Sequence, residues 1–269
     1  MKQSIYVLKE QCKYLKRVLI LSRYEMKSSY QAYYLGKFWE ILNPLIQILI
    51  YYFIFGVRLG ANRYIEKSIP YLLWMIGGLI PWFFLSSSIV QSTNSVYSKA
   101  QLINRMNFPV STLPLISIVN CARKFVIMNL LFVPILFVNN IIFTAASIQF
   151  IIYFILLILF LDGLGLFLST VTVFFRDFTH ILTSVIRVLF YISGVTVEVG
   201  KNQKSFIDKF LSMNPLNFYI EGFRDSYFSR NLFLEKCDLL LLNICIILFL
   251  FISGSMMQVS LKRHFSDYT

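Results

Sequence analysis

Six long apolar stretches separate the polar parts of this chain, and each is close to the about 20 residues that a helix needs to cross a bilayer. They run over residues 41–57, 69–90, 113–138, 148–175, 181–199 and 239–259. Backbone polar groups in lipid must be bonded within their own segment, and these stretches are too long and too continuously apolar for tilted barrel strands. The pattern therefore predicts an all-α integral membrane protein with six transmembrane helices.

The segment that precedes the first stretch, residues 1–40, carries an apolar stripe among its charges. The stripe recurs at steps of three and four and consists of Ile5, Leu8, Cys12, Leu15, Leu19, Met26, Tyr30 and Tyr33. This pattern is typical of an amphipathic helix that lies along the inner membrane surface, although a helix packed on a partner would show it too. We expect the helix to end at Leu35-Gly36, before Trp39 as an interfacial aromatic. No cleavable signal peptide is evident in this charged segment.

Two short connections are predicted on the inner side. Residues 95–109 are expected to form a short helix with Lys99 and Arg105, which stops at Phe108-Pro109. Residues 175–178 form the second connection and include Arg176 and Asp177. Loops this short cannot hold an enzyme domain, but they can dock onto one.

The longest loop, residues 200–238, is predicted to contain a helix that starts at Asn214-Pro215, a capping residue followed by a first-turn proline. Its apolar face would hold Leu216, Tyr219, Ile220, Phe223 and Tyr227, opposite Asn217, Glu221 and Arg224. We expect this helix to re-enter the membrane or to lie on the outer leaflet. A helix that simply caps the bundle is the alternative.

Charge indicates the orientation. With both termini inside, the inner side of a six-span arrangement carries sixteen Lys and Arg residues and the outer side nine, as the positive-inside rule requires. The formal net charge of +12 is thus explained by topology and by contact with anionic membrane lipids, rather than by nucleic acid.

With 57% hydrophobic and 14% charged residues, the chain has no room for a soluble domain. Its four cysteines lie on different segments without a CxxC, so no disulfide framework is predicted.

The motifs of several enzyme classes are missing from the sequence. The nearest approach to a phosphate-binding loop, Gly194 to Asn202, has five residues between its glycines and Asn where Ser or Thr would bind magnesium. His180 and His264 are the only histidines, and no carboxylate or Cys cluster accompanies them, so no metal site is predicted. No G-x-S-x-G occurs. We expect no catalytic residue and no cofactor in this chain.

Two ionisable residues, Asp162 and Arg187, are predicted within spans, where such residues are candidates for a substrate path. The alternatives are a structural Asp–Arg pair and an arginine that extends to the inner headgroups. Trp82 and Tyr191 are aromatic candidates for the same path, since aromatic rings stack on sugars when they face a pore.

Four segments carry a resemblance to a known family. They are residues 34–44 (YLGKFWEILNP), residues 106–111 (MNFPVS) with Pro114, residues 175–177 (FRD), and Asn214-Pro215 followed by residues 221–224 (EGFR). In this order they resemble the permease subunit of ABC-2-type polysaccharide exporters. The likeness is closest to the wall teichoic acid exporter of Gram-positive bacteria, and the tail of this chain, residues 262–267, resembles that subgroup too. Family members often carry Ser-Pro-Ile and an aromatic near the end of the fifth span, whereas residues 193–198 read SGVTVE here. This departure bears on the geometry of the gate.

The resemblance implies a homodimer of permeases joined by two copies of a separate nucleotide-binding ATPase subunit, which would bind ATP and Mg. One transmembrane domain would cover residues 1–269, with a cytoplasmic interface helix over 1–40, a six-span bundle over 41–259 and a cytoplasmic tail over 260–269. The implied contacts with the ATPase are Tyr97, Lys99, Arg105 and Phe108 of a coupling helix, together with Arg176 and Asp177. The implied outer gate consists of Asn214, Pro215, Glu221 and Arg224.

Three functions remain open on these grounds. The first is export of lipid-linked wall teichoic acid, an anionic glycopolymer, through a dimeric channel in the plasma membrane of a bacterium, with both termini cytoplasmic. The second keeps the transporter and changes the cargo to capsule, O-antigen or another glycan. The third is a membrane-embedded glycosyl- or phosphotransferase, which clustered acidic motifs on a cytoplasmic loop would favour, and the sequence has none.

Overall fold

The computed structural model describes residues 2–31, 33–54, 64–65, 69–99, 109–141, 144–195, 214–230 and 237–261. The helices, in chain order, are α1 (Lys2–Gln31), α2 (Trp39–Tyr51), α3 (Tyr71–Thr93), α4 (Ser95–Ser98), α5 (Thr112–Val138), α6 (Gln149–Phe174), α7 (Phe178–Ile192), α8 (Pro215–Phe228) and α9 (Cys237–Leu261). Single 3-10 turns cover Gly36–Phe38 and Ala145–Ile148. Two short strands, β1 (Tyr64–Ile65) and β2 (Ile69–Pro70), pair antiparallel before α3.

Six of these helices are apolar and correspond to the six predicted stretches. By length and composition, α3, α5, α6 and α9 are able to cross a membrane, whereas α2 with the turn after it (Trp39–Ile54) and α7 are shorter. The predicted all-α membrane fold is therefore confirmed. The ends predicted for the first and fifth stretches, residues 55–57 and 196–199, lie outside the described residues.

The bundle has two ends, which we name after helices that lie there. The α1 side holds α1, α4, the ends of α3, α6 and α9, and the starts of α2, α5 and α7. The α8 side holds the end of α8, the two strands and the starts of α3, α6 and α9.

Stacked aromatic rings fill the core between α3, α5, α6 and α8. Phe125 of α5 is at their centre, with ring centroids 5.0 Å from Phe84, 5.5 Å from Phe154 and 5.3 Å from Phe223. Offset and edge-on pairs at these distances stabilise a core beyond the area that they bury. The cluster ties α8 to three of the apolar helices.

Helices α6 and α9 form the most extensive helix pair, and glycines allow their backbones to touch. A Cβ atom on Gly163 would lie 2.9 Å from the backbone N of Phe251, and one on Gly254 would lie 2.8 Å from the backbone N of Phe167. Close packing through small residues is how helices associate in lipid, where burying apolar side chains gains little.

Helix α1 is confirmed, but it ends at Gln31 and not at Leu35-Gly36. Its apolar stripe is exposed as an amphipathic surface helix requires, since Ile5, Leu8, Leu15 and Leu19 are about half exposed. The face that packs on α5 and α9 is a different one. Its buried side chains are Ser4, Val7, Gln11, Val18 and Ser22.

Candidate functional site

A central cavity of about 640 Å³ lies between α2, α3, α5 and α7. Its polar lining includes two cations, Lys124 from α5 and Arg187 from α7, and one carboxylate, Glu40 from the first turn of α2. Side-chain amides of α2 and hydroxyls of α3 complete the polar part of the wall. A volume of this size is in the range of ligand-binding cavities.

Both cations lie several turns along their helices, where Lys124 is half-buried and Arg187 is exposed at the mouth of the cavity. Lys124 comes twelve residues after the start of α5 and Arg187 nine after the start of α7, about 18 Å and about 14 Å along their helices. Within the part of the chain that the structure describes, neither side chain forms a hydrogen bond or an ion pair. Ionisable residues at such depth usually face a water-filled cavity and mark ion or substrate pathways.

Sequence reasoning missed Lys124 and its neighbour Arg123. The two belong to the sixteen inner cations of the charge count, although the third apolar stretch already begins at residue 113. Their position within that stretch was the signal that would have identified them.

Asp162 is buried, with 5% exposure, and its Oδ1 accepts a hydrogen bond of 3.1 Å from Nε2 of Gln11. The same nitrogen lies 3.1 Å from the carbonyl oxygen of Ser111, at the start of α5. Asp162 therefore joins α6 to α1. The predicted Asp162–Arg187 pair is wrong, because the buried carboxylate bonds to Gln11, whereas Arg187 lines the central cavity, which Asp162 does not reach.

The two aromatic candidates differ in exposure. Tyr191 is 75% exposed and follows Arg187 by one helical turn, so both lie on the outward face of α7. Trp82 is buried, and its ring centroid is 5.6 Å from that of Phe190.

Helix α8 re-enters the bundle, which is the first of the predicted alternatives. Asn214 caps its start by accepting a hydrogen bond of 3.0 Å from the backbone N of Leu216, and Pro215 occupies the first turn, as predicted. Near this end, the hydroxyl of Tyr219 lies 3.5 Å from the carbonyl oxygen of Leu156, about 10 Å below the start of α6. At the other end, Ser229 lies 3.5 Å from Ser147, just before α6 begins.

Arg224 of α8 is fully buried within the bundle, whereas the sequence pattern predicts it on a polar face of the helix. Helix α8 is buried on nearly all sides, so it has no polar face turned to solvent. The guanidinium donates to the carbonyl oxygens of three residues and to Glu221 Oε1 at 2.6 Å. The three carbonyls belong to Trp74 (3.1 Å), Gly194 (2.5 Å) and Val195 (2.7 Å).

The surroundings of Arg224 are shaped to hold it. Its guanidinium carbon lies 3.5 Å from the ring centroid of Trp74, a cation–π contact. Gly78 leaves the necessary space, because a Cβ atom there would lie 2.1 Å from Nη2 of Arg224. No sequence pattern marks these partners, because they come from distant segments of the chain.

The predicted contacts on the α1 side are partly described. Helix α4 covers Ser95–Ser98, whereas Arg105 and Phe108 lie outside the described residues. The guanidinium of Arg176 lies 5.0 Å from the ring centroid of Tyr97, and Asp177 is exposed at the start of α7. The two predicted connections therefore meet.

Glu25 links this region to α1. Its Oε1 lies 2.6 Å from Nζ of Lys99, and its Oε2 accepts a hydrogen bond of 2.8 Å from the amide of Asn120 on α5. The carboxylate of Glu25 thus joins α1 both to Lys99, which follows α4, and to α5.

An apolar helix bundle with a surface helix at one end and a re-entrant helix at the other is the architecture of a multi-pass membrane protein. The chain belongs to the ABC-2 type transporter family, whose model matches residues 16–228. Permeases of this family partner with an ATPase subunit. The multi-pass membrane architecture and the family thus agree with the resemblance seen in the sequence.

The chain is similar to three curated transport proteins over most of its length. It is 27% identical to the O-antigen export system permease protein RfbA of Klebsiella pneumoniae, with 83% of this chain and 84% of the relative covered. It is 24% identical to the protein of the same name from Myxococcus xanthus, with coverage of 85% and 86%. It is 24% identical to the polysialic acid transport protein KpsM of Escherichia coli, with coverage of 75% and 77%.

Proposed function

We propose that this chain is the permease subunit of an ATP-driven exporter that moves a lipid-linked anionic glycan across the plasma membrane of a bacterium. The observation that carries the proposal is the central cavity, which is lined by half-buried Lys124 and exposed Arg187, and neither cation has a partner among the described side chains. Cations that lack a protein partner inside a membrane bundle suit the phosphate or carboxylate groups of an anionic polymer.

The assembly that we propose is a homodimer with two ATPase subunits, which supply the sites for ATP and Mg. In this arrangement the α1 side faces the cytoplasm, with both termini, and Tyr97, Lys99, Arg176 and Asp177 contact the ATPase. Support comes from the adjacency of these residues and from their link to α1 through Glu25. Helix α8, with Asn214, Pro215, Glu221 and Arg224, would then form the outer gate.

Two cargoes have specific support. The names of the three relatives favour O-antigen or a capsular glycan, whereas the motifs of the chain resemble the wall teichoic acid exporter. Expression with the ATPase subunit in export-deficient strains of each type distinguishes them, since only the strain with the correct cargo should regain surface polymer. Restoration in neither strain would contradict both assignments.

Arg187 supplies the test of the transport function itself. Because the charge of the side chain is required to meet an anionic polymer, Arg187→Lys should keep part of the export and Arg187→Met should abolish it. Export is measured as surface polymer per assembled transporter. Lys9→Met, which removes an exposed cation outside the cavity, is the control and should export normally.

The same experiment separates a transporter from a transferase. In the Arg187→Met cells, the polymer should accumulate inside, because its synthesis does not depend on this chain. Loss of the polymer from inside the cell as well would favour the transferase. Full export by Arg187→Met would show that this arginine plays no part in the path.

A further inference from the structure

A second cavity, which we call the side cavity, lies between α1, α2 and α5 and has a volume of about 600 Å³. Helix α1 contributes Arg23 and Lys27, which are one turn apart, with the ring of Tyr24 beside them. Arg123 of α5 and Glu40 of α2 form the facing walls.

Three cations and one carboxylate give the side cavity an excess of positive charge. Among the described residues, Arg23, Lys27 and Arg123 form no hydrogen bond and no ion pair, not even with Glu40. By contrast, Lys99 on the same side of the bundle has a partner, since it pairs with Glu25. Guanidinium groups bind phosphate oxygens in a bidentate manner, and lysine adds a point charge.

The side cavity and the central cavity share a wall. Glu40 lines both. Arg123 and Lys124 are adjacent on α5, and the first lines the side cavity whereas the second lines the central one. The two cavities thus present cations from one turn of α5 on either side of a shared carboxylate.

We propose that the side cavity binds the phosphorylated headgroup of a lipid in the leaflet on the α1 side, before that group enters the central cavity. The ligand is a lipid-borne phosphate or diphosphate, either on the carrier of the exported glycan or on a resident phospholipid. Exposed Ile20 and half-buried Met26 supply apolar contacts beside the cations. This inference rests on the proposed function, which places α1 at the cytoplasmic leaflet.

Native mass spectrometry of the full-length permease, purified with its ATPase subunit, tests the proposal. The probes are farnesyl diphosphate, dioleoylphosphatidylglycerol and uncharged farnesol. Arg23→Gln with Lys27→Gln should weaken diphosphate binding at least about tenfold, the loss of one charge-assisted contact. Lys9→Gln with Lys16→Gln removes two exposed cations of the same helix outside the cavity and should change binding less than about twofold.

Glu40→Gln provides a variant with the opposite sign. Removing the one carboxylate of the side cavity should tighten binding of farnesyl diphosphate, whereas a defect in folding would weaken it. If the Arg23/Lys27 variant binds only farnesyl diphosphate more weakly, the ligand is the lipid carrier. If it binds phosphatidylglycerol more weakly to the same extent, the ligand is resident phospholipid. Binding of both probes at the level of the Lys9/Lys16 control would overturn the proposal, as would equal binding of farnesol.

Binding and export are measured separately, so failure of the site and failure of the function are distinguishable. A transporter that binds the diphosphate through Arg23 and Lys27 but exports no glycan in any strain refutes the proposed function and leaves the site. One that exports normally while the Arg23/Lys27 variant binds like the wild type refutes the site alone.

Discussion

Replacing Arg224 should destabilise the permease more than any other single change on α8. The guanidinium donates to three carbonyl oxygens and one carboxylate, and its side chain has no exposed surface. Arg224→Met keeps the length of the side chain and removes every one of these donors. The structure therefore predicts that α8 loses its hydrogen bonds to α3 and to the segment after α7 and keeps its aromatic contacts.

The size of the effect follows from which acceptors are left alone. The carbonyl of Trp74 belongs to helix α3 and keeps a backbone donor, and Glu221 is 25% exposed, so water solvates its carboxylate. The carbonyls of Gly194 and Val195 lose their donor in a buried setting, at about 1–3 kcal/mol each. Arg224→Met should thus lower the free energy of unfolding by about 2–6 kcal/mol.

Thermal unfolding of the detergent-solubilised protein, followed by fluorescence size exclusion, measures this loss. Arg224→Lys should be intermediate, because an ammonium cannot reach several acceptors in the planar geometry of the guanidinium. Glu221→Gln is the matched control and should cost less than Arg224→Met, since glutamine still accepts a hydrogen bond and the carbonyl bonds of Arg224 stay intact. Equal losses in Arg224→Met and Glu221→Gln would show that the ion pair, and not the carbonyls, holds the arginine.

Three further changes test other contacts. Glu25→Lys should uncouple ATP hydrolysis from export, measured as polymer exported per ATP hydrolysed, and Lys99→Glu in the same chain should restore part of the coupling. If the second change restores nothing, the Glu25–Lys99 pair has no role in coupling. Gln11→Leu should lower the free energy of unfolding by about 1–3 kcal/mol, seen as a lower melting temperature, because Asp162 loses its hydrogen-bond donor. An unchanged melting temperature would show that the Gln11–Asp162 hydrogen bond does not stabilise the protein. Gly254→Val should reduce the yield of monodisperse protein, since any Cβ meets the backbone of α6, and a normal yield would contradict the close packing of α6 and α9.

The features that local chemistry determines were predictable from the sequence. The start of α8 is one example, because Asn214 caps the helix through a bond to a residue two positions away. The six apolar helices are another, since length and hydropathy decide whether a segment crosses the bilayer. In the first case the interacting residues are two positions apart in the sequence, and in the second the interaction is with the lipid.

Which face of a helix meets its neighbours was not predictable in the same way. In α1 the apolar side chains Ile5 and Leu8 are exposed, and Ser4 and Gln11 are buried. Among lipid-facing helices small and polar side chains make the close contacts, so hydrophobicity does not identify the contact face. The partners of Arg224 were hidden for a related reason, because they are backbone carbonyls, which no sequence pattern marks.

The position of Arg224 also limits how the re-entrant helix can move. One guanidinium is bonded at once to α3 through Trp74, to the segment after α7 through Gly194 and Val195, and to α8 itself through Glu221. A swing of α8 alone would have to break the bonds to Trp74, Gly194 and Val195 in a buried environment. A movement that keeps these bonds carries α8, the first turns of α3 and the segment after α7 together.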